Sequence, residues 1–183
     1  MKIFKTIIPV IGMLFLLSSC GPTLRPFTQD LYDDYSWSDS ELKKIQFYLS
    51  DDIVLRREVS AGASEIIQGE IKLIEGRQIE EVVIRKGTPG VFLFSPKKER
   101  FAVSFDATSD EKFLIFGPSP KANDRYVLMA SEWRRRGGTV TYGGKKWRVD
   151  VSTAWATLMI DLEKVNKTSV QKEVAAGRRV SGK

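Results

Sequence analysis

Apolar and polar residues alternate along most of the chain in short runs separated by turn residues, which is the period of strands with one face in a core. In 100–106 the apolar Phe101, Val103 and Phe105 fall on one face, with Ala102, Ser104 and Asp106 on the other. Runs rich in Ile, Val, Phe and Tyr predict strands at 45–50, 53–60, 65–74, 78–86, 91–95, 100–106, 112–117, 125–131, 139–142, 145–150 and 154–161. Thr88-Pro89-Gly90 fits a type II turn, and Gly143-Gly144 fits a primed hairpin turn needing two positive φ angles. Glu75-Gly76-Arg77 joins two further runs. Many close strands with short links predict an all-β domain, an antiparallel meander forming a small barrel or curved sandwich.

The ends of the chain follow other patterns. Residues 28–37 predict a short helix carrying Leu31, Tyr32 and Tyr35. Ser38 followed by Glu41 matches a capping box and predicts a brief helix at 39–45. Residues 20–27, with Pro22 and Pro26, read as a tether. The globular domain is expected over 28–165. In 162–183 aromatics vanish, and Lys164, Lys167, Lys172, Arg178, Arg179 and Lys183 outnumber Glu163 and Glu173. The last strand is expected to run on into this segment. Beyond about 167 the composition predicts a basic tail, 166–183 in all, with no fold of its own.

At the amino terminus, Lys2 and Lys5 precede the apolar run 7–17, which is shorter than the ~20 residues a spanning helix needs. A basic head, a short apolar stretch and small residues behind it make an export signal. Leu17-Ser18-Ser19-Cys20 resembles the lipobox of bacterial lipoproteins. That resemblance implies a signal peptide at 1–19, cleavage between Ser19 and Cys20, and acylation of Cys20. It also implies outer-membrane sorting, because Gly21 replaces the Asp that retains enteric lipoproteins in the inner membrane. The chain from Gly21 to Pro26 has no acid, unlike the export signal for surface display, so a periplasm-facing domain is expected. The general look of the chain is similar to small uncharacterised outer-membrane lipoproteins of Bacteroidota.

Composition narrows the chemistry. Cys20 is the single cysteine, so a disulfide within the chain has no second thiol, and the covalent lipid is the one attached group expected, with no other cofactor. The absence of histidine removes Ser-His-Asp and Cys-His catalysis and His-ligated zinc. The formal charge of +6 falls to +4 once residues 1–19 and their two lysines are gone. This balance favours an acidic envelope partner or anionic lipid. Nucleic acid is not expected as a partner of an exported protein.

Acidic neighbours occur at Asp33-Asp34, Asp51-Asp52, Glu80-Glu81 and Asp110-Glu111. Glycoside hydrolysis needs two carboxylates across a sugar, whereas neighbours on a strand point to opposite faces, and turn acids are normally solvated. The aromatics Phe47, Phe92, Phe94, Phe101, Phe105, Phe113, Phe116 and Trp155 are expected to face inward as core. Basic clusters occur at Lys97-Lys98-Glu99-Arg100, Arg134-Arg135-Arg136 and Lys145-Lys146-Trp147-Arg148. The last two flank one hairpin, and with Trp133 and Trp147 they form the candidate partner-binding patch, since Arg and Trp dominate binding hot spots. A solvated hairpin with Trp147 in the core is the competing reading.

Together these features predict a non-enzymatic, outer-membrane-anchored accessory or scaffold subunit of a cell-envelope complex. Two alternatives remain open: a periplasmic barrel that binds a lipid or small ligand, and a carboxylate-based envelope hydrolase.

Overall fold

The computed structural model describes residues 23–59, 69–74 and 76–170. The expected export signal, Ser19, Cys20 and the basic residues after 170 lie outside them, as does the first half of the strand expected at 65–74.

The fold is all-β, two antiparallel sheets with few helices. The first sheet has seven strands in the order β1 (Leu24–Pro26), β13 (Leu158–Asp161), β2 (Gln46–Leu49), β6 (Pro89–Lys97), β7 (Arg100–Ser104), β8 (Phe113–Ser119) and β9 (Arg125–Leu128). The second has six, in the order β10 (Glu132–Arg134), β11 (Gly137–Tyr142), β12 (Lys145–Val149), β3 (Ile53–Glu58), β5 (Arg77–Ile84) and β4 (Glu70–Ile74). Runs β6 to β9 and β10 to β12 are meanders, while β2 and β3 carry the chain from one sheet to the other. Phe27 and Ala156 accept hydrogen bonds from the backbone of Tyr126 and Leu128, tying the β9 edge toward the β1 and β13 edge. These are isolated bridges, not a ladder, so the sheet is sandwich-like rather than a closed barrel.

Inward-facing residues of both sheets build one core. Trp147, Tyr126, Phe27, Phe47, Phe101 and Phe116 are its largest fully buried side chains. Phe27 sits edge-on to Phe47 at 5.4 Å and to Tyr126 at 4.9 Å. Burying a side chain of this kind contributes about 1.5–3 kcal/mol. Burial of Tyr142 raises its hydroxyl pKa to about 12.

Several expectations shift. The chain joins the sheet at Leu24 rather than after the tether, because β1 pairs with β13 and Phe27 fills the core. The turn expected at 88–90 lies three residues earlier: Thr88 donates to the Arg85 carbonyl, and Gly87 supplies the positive φ of +78°. Gly90 serves a different need, since a Cβ there would lie 2.6 Å from the Phe105 ring. Gly143 and Gly144 adopt φ of +55° and +70°, the primed turn their pairing implies.

The strand expected from 154 begins at Leu158, after a 3-10 turn over Val151–Trp155. It ends in a helix instead of running on. Asp161 accepts from the backbone N–H groups of Glu163 and Lys164, and this cap starts α3 (Leu162–Val170). Near the amino terminus, α1 (Gln29–Tyr35) is capped by Thr28. The next helix, α2 (Asp39–Leu42), is capped by the Ser38–Glu41 box. Tyr35 donates to Asn166 at 2.6 Å, holding α1 to α3.

Candidate functional site: an arginine groove

Strand alternation puts different chemistry on the two faces of the second sheet. Arg56 and Arg57 are neighbours on β3 and stand opposite Glu81 and Glu80 on β5. Arg57 points inward. Its guanidinium meets the fully buried Glu80 at 2.6 Å and lies 5.3 Å from the centre of the Trp147 ring. Arg56 points outward, donating to Glu81 at 2.7 Å and to Asp150 at 2.8 Å. Lys72 of β4 reaches the other oxygen of Glu81. The expected separation of Glu80 from Glu81 onto opposite faces therefore holds, but Glu80 is a core residue, not a solvated one.

The hydrogen bonds from Lys72 and then Arg56 hold the Glu81 carboxyl below its ordinary pKa. Glu81 in turn is the main cause that raises Arg56. All three side chains therefore carry charge at neutral pH.

Where β3 and β12 end and β5 begins, with the β10–β11 turn beside them, a groove of about 310 Å³ opens. Five arginines line it: Arg56, Arg57, Arg77, Arg136 and Arg148. Its apolar floor includes Ile79 and Val149, and its two acids, Glu58 and Asp150, are engaged by Arg77 at 3.5 Å and by Arg56. Arg136 and Arg148 have no hydrogen-bond or ion-pair partner among the described residues. Planar guanidinium groups that converge on an open groove suit a carboxylate or phosphate, which they grip through paired N–H donors.

This groove regroups the basic residues singled out in the sequence. Arg136 and Arg148 enter it. Arg134 bonds Glu132 at 2.9 Å, and Arg135 is exposed in the turn. Trp133 is 37% exposed on β10, an edge strand. Lys145 and Lys146 sit at the β11–β12 turn, at the other end of the hairpin, so the two clusters do not form the single patch expected of them. Trp147 is fully buried and donates to the Tyr142 carbonyl at 2.9 Å, which removes it from any binding surface. Of the aromatics expected inward, Phe94 and Trp155 face out, at 43% and 54% exposure.

Arg56, Arg57 and Arg77 were not legible as site residues. Each sits in an ordinary strand run, and only the pairing of β3 with β5 and β12 brings them together. The adjacent arginines at 56 and 57, facing acids 23 and 25 residues on, were the one available signal.

Other acids have local duties. Asp52 accepts from the Lys86 backbone at 2.7 Å. Burial pushes the Asp106 carboxyl up, but hydrogen bonds from Thr108 and the Lys112 charge outweigh this and leave it below its ordinary pKa. Among the described residues no cluster of three or more Asp, Glu, His or Cys is placed to hold a metal ion. Among them, too, no helix is long and apolar enough to cross a membrane. Comparison with protein-family models, with curated proteins and with solved structures finds no match to the chain.

Proposed function

We propose that the chain is a lipid-anchored, non-enzymatic accessory protein of the outer membrane, held through Cys20, that captures an acidic segment of an envelope protein in its arginine groove. The observation that carries this reading is the groove itself: five arginines line one opening, Arg57 from its inner side, and two of them, Arg136 and Arg148, have no partner among the described residues. Its place in the fold favours a protein over the lipid that anchors the chain. The groove lies at the Arg56–Glu58 end of β3, whereas Leu24, four residues after Cys20, shares a cleft with Asp51 just before β3 begins. A core packed with large side chains supports an accessory role over a ligand-carrying barrel: Trp147, Tyr126, Phe27, Phe47, Phe101 and Phe116 are fully buried.

Purification of the acylated protein from detergent-solubilised envelopes is the test. A stoichiometric partner is expected, released by moderate salt because charge holds it. The double variant Arg136→Glu/Arg148→Glu is expected to lose it. An unchanged partner in that variant overturns the groove as the binding site. Loss of binding to phosphatidylglycerol vesicles, with no protein partner lost, would assign the groove to lipid instead. The anchor is tested separately: Cys20→Ala is expected to abolish labelling by a radioactive fatty acid, and undiminished labelling refutes it.

A further inference from the structure

The outward-facing Trp155 has no role in the groove or the core. It sits at the end of the 3-10 turn Val151–Trp155, 54% exposed, and Val151 at the other end is 51% exposed. Trp155 lines a cleft of about 410 Å³ with Leu24, Pro26 and Met159. Pro26 and Met159 stand opposite each other in the β1–β13 ladder, so this apolar strip is set by strand register. Lys86 and Arg125 border it, and neither has an ion-pair partner among the described residues. One acid, Asp51, also lines the cleft and accepts from the Ser50 hydroxyl at 2.7 Å.

Chain length decides what covers this surface. Leu24 is four residues beyond Cys20. Four residues span at most ~14 Å even when fully extended. A lipid on Cys20 therefore keeps the Leu24 edge of the domain within about that distance of the bilayer surface. A tryptophan with an apolar body and a polar N–H belongs at a membrane–water interface, and basic side chains beside it reach the headgroups with their charged ends.

We propose that Trp155, with the Leu24–Met159 strip, docks on the membrane that holds the anchor and fixes the orientation of the domain there. This inference rests on the reading of Cys20 as the lipidated residue. Its consequence is directional. The cleft adjoins the start of β3 and the arginine groove adjoins its end, and the strand between them is about 17 Å long at ~3.3 Å per residue. Docking by Trp155 thus presents the groove away from the bilayer, toward a partner in the periplasm.

The acylated protein, reconstituted into vesicles of phosphatidylethanolamine and phosphatidylglycerol with brominated acyl chains, supplies the test. Bromine quenches only tryptophans that enter the bilayer. Trp37 and Trp147 are buried in the domain, so Trp133 and Trp155 are the two exposed reporters. Wild-type fluorescence is expected to fall relative to unbrominated vesicles, Trp155→Phe to lose most of that fall, and Trp133→Phe to keep it. Equal quenching in Trp155→Phe and wild type, or no quenching in either, overturns the docking. Fatty-acid labelling of Cys20→Ala separates the two claims. If labelling is lost and Trp155 is not quenched, the anchor stands and the docking fails; if labelling persists, both fail.

Discussion

Two ion pairs on adjacent rungs of the same ladder have different surroundings. Arg57 with Glu80, and Arg56 with Glu81, use the same residue types on the same two strands, one position apart. The strand period turns the first pair into the core and the second onto the outer face. The inward carboxylate is fully buried, and its arginine stacks on Trp147. The outward carboxylate is shared between Arg56 and Lys72, and Arg56 also holds Asp150. A charge pair enclosed by core is a structural commitment, whereas one at an open groove is an arrangement that a ligand can enter.

Removing Glu80 gives the largest effect. Glu80→Ala takes the carboxylate from Arg57, whose side chain is 16% exposed, and leaves a cation against the core. Breaking a buried pair in this way costs about 3–5 kcal/mol. The urea midpoint of the protein should fall accordingly. Replacing both partners with leucine should recover much of the loss, because an apolar pair carries no desolvation cost. A single variant as stable as wild type would show that the pair is not enclosed in solution.

The contrast between the pairs also marks what the sequence could disclose. Alternation placed Phe101 and Val103 in the core and separated Glu80 from Glu81, but it missed that the opposite face of β7 is covered too, with Ala102 and Ser104 buried. Register does not follow from alternation. Arg56 meets Glu81 and Arg148 only through pairing between strands far apart in the chain, which hid most of the groove. Short edge elements were also lost. β1 and β10 have three residues each, and proline and arginine in them read as tether and turn. Trp155 was misplaced because a β-rich run continued across a 3-10 turn. The cap on α3 was overlooked because Asp161 ends a strand and starts a helix at once.

The outer pair should set a smaller effect with a pH signature. Glu81 has a folded pKa below the ordinary 4.5. A depressed carboxylate adds stability above its unfolded pKa, and that stability is lost as pH falls through the folded pKa. Stability from Glu81 is therefore complete at neutral pH, begins to fall as pH drops below about 4.5, and is lost as pH passes through the lower folded pKa. Glu81→Gln should cost about 1–2 kcal/mol at pH 7, as expected for charge-assisted hydrogen bonds at a partly exposed site. The cost should shrink in acid, where wild type loses the same contribution. Asp106, depressed too, leaves a residual acid slope in the variant. Urea titrations of both proteins from pH 7 to acid check this, and parallel curves would exclude the Glu81 network as a source of acid sensitivity.

The smallest effect on stability should coincide with the largest on binding. Arg136 and Arg148 are exposed and engage no described residue, so the fold does not depend on their charge. Arg136→Glu/Arg148→Glu should leave the urea midpoint within about 0.5 kcal/mol of wild type, the ordinary range for surface substitutions. It should even relieve some repulsion among the outward-facing arginines of the groove. If these arginines were held for the fold, reversing both charges would destabilise it and binding would fall only in proportion to unfolding. If the groove is kept for an anionic segment, partner recovery collapses in a protein whose unfolding curve is unchanged. Measuring both quantities on the same preparation separates these cases, and a destabilised variant would move Arg136 and Arg148 to the structural side of the comparison, beside Arg57.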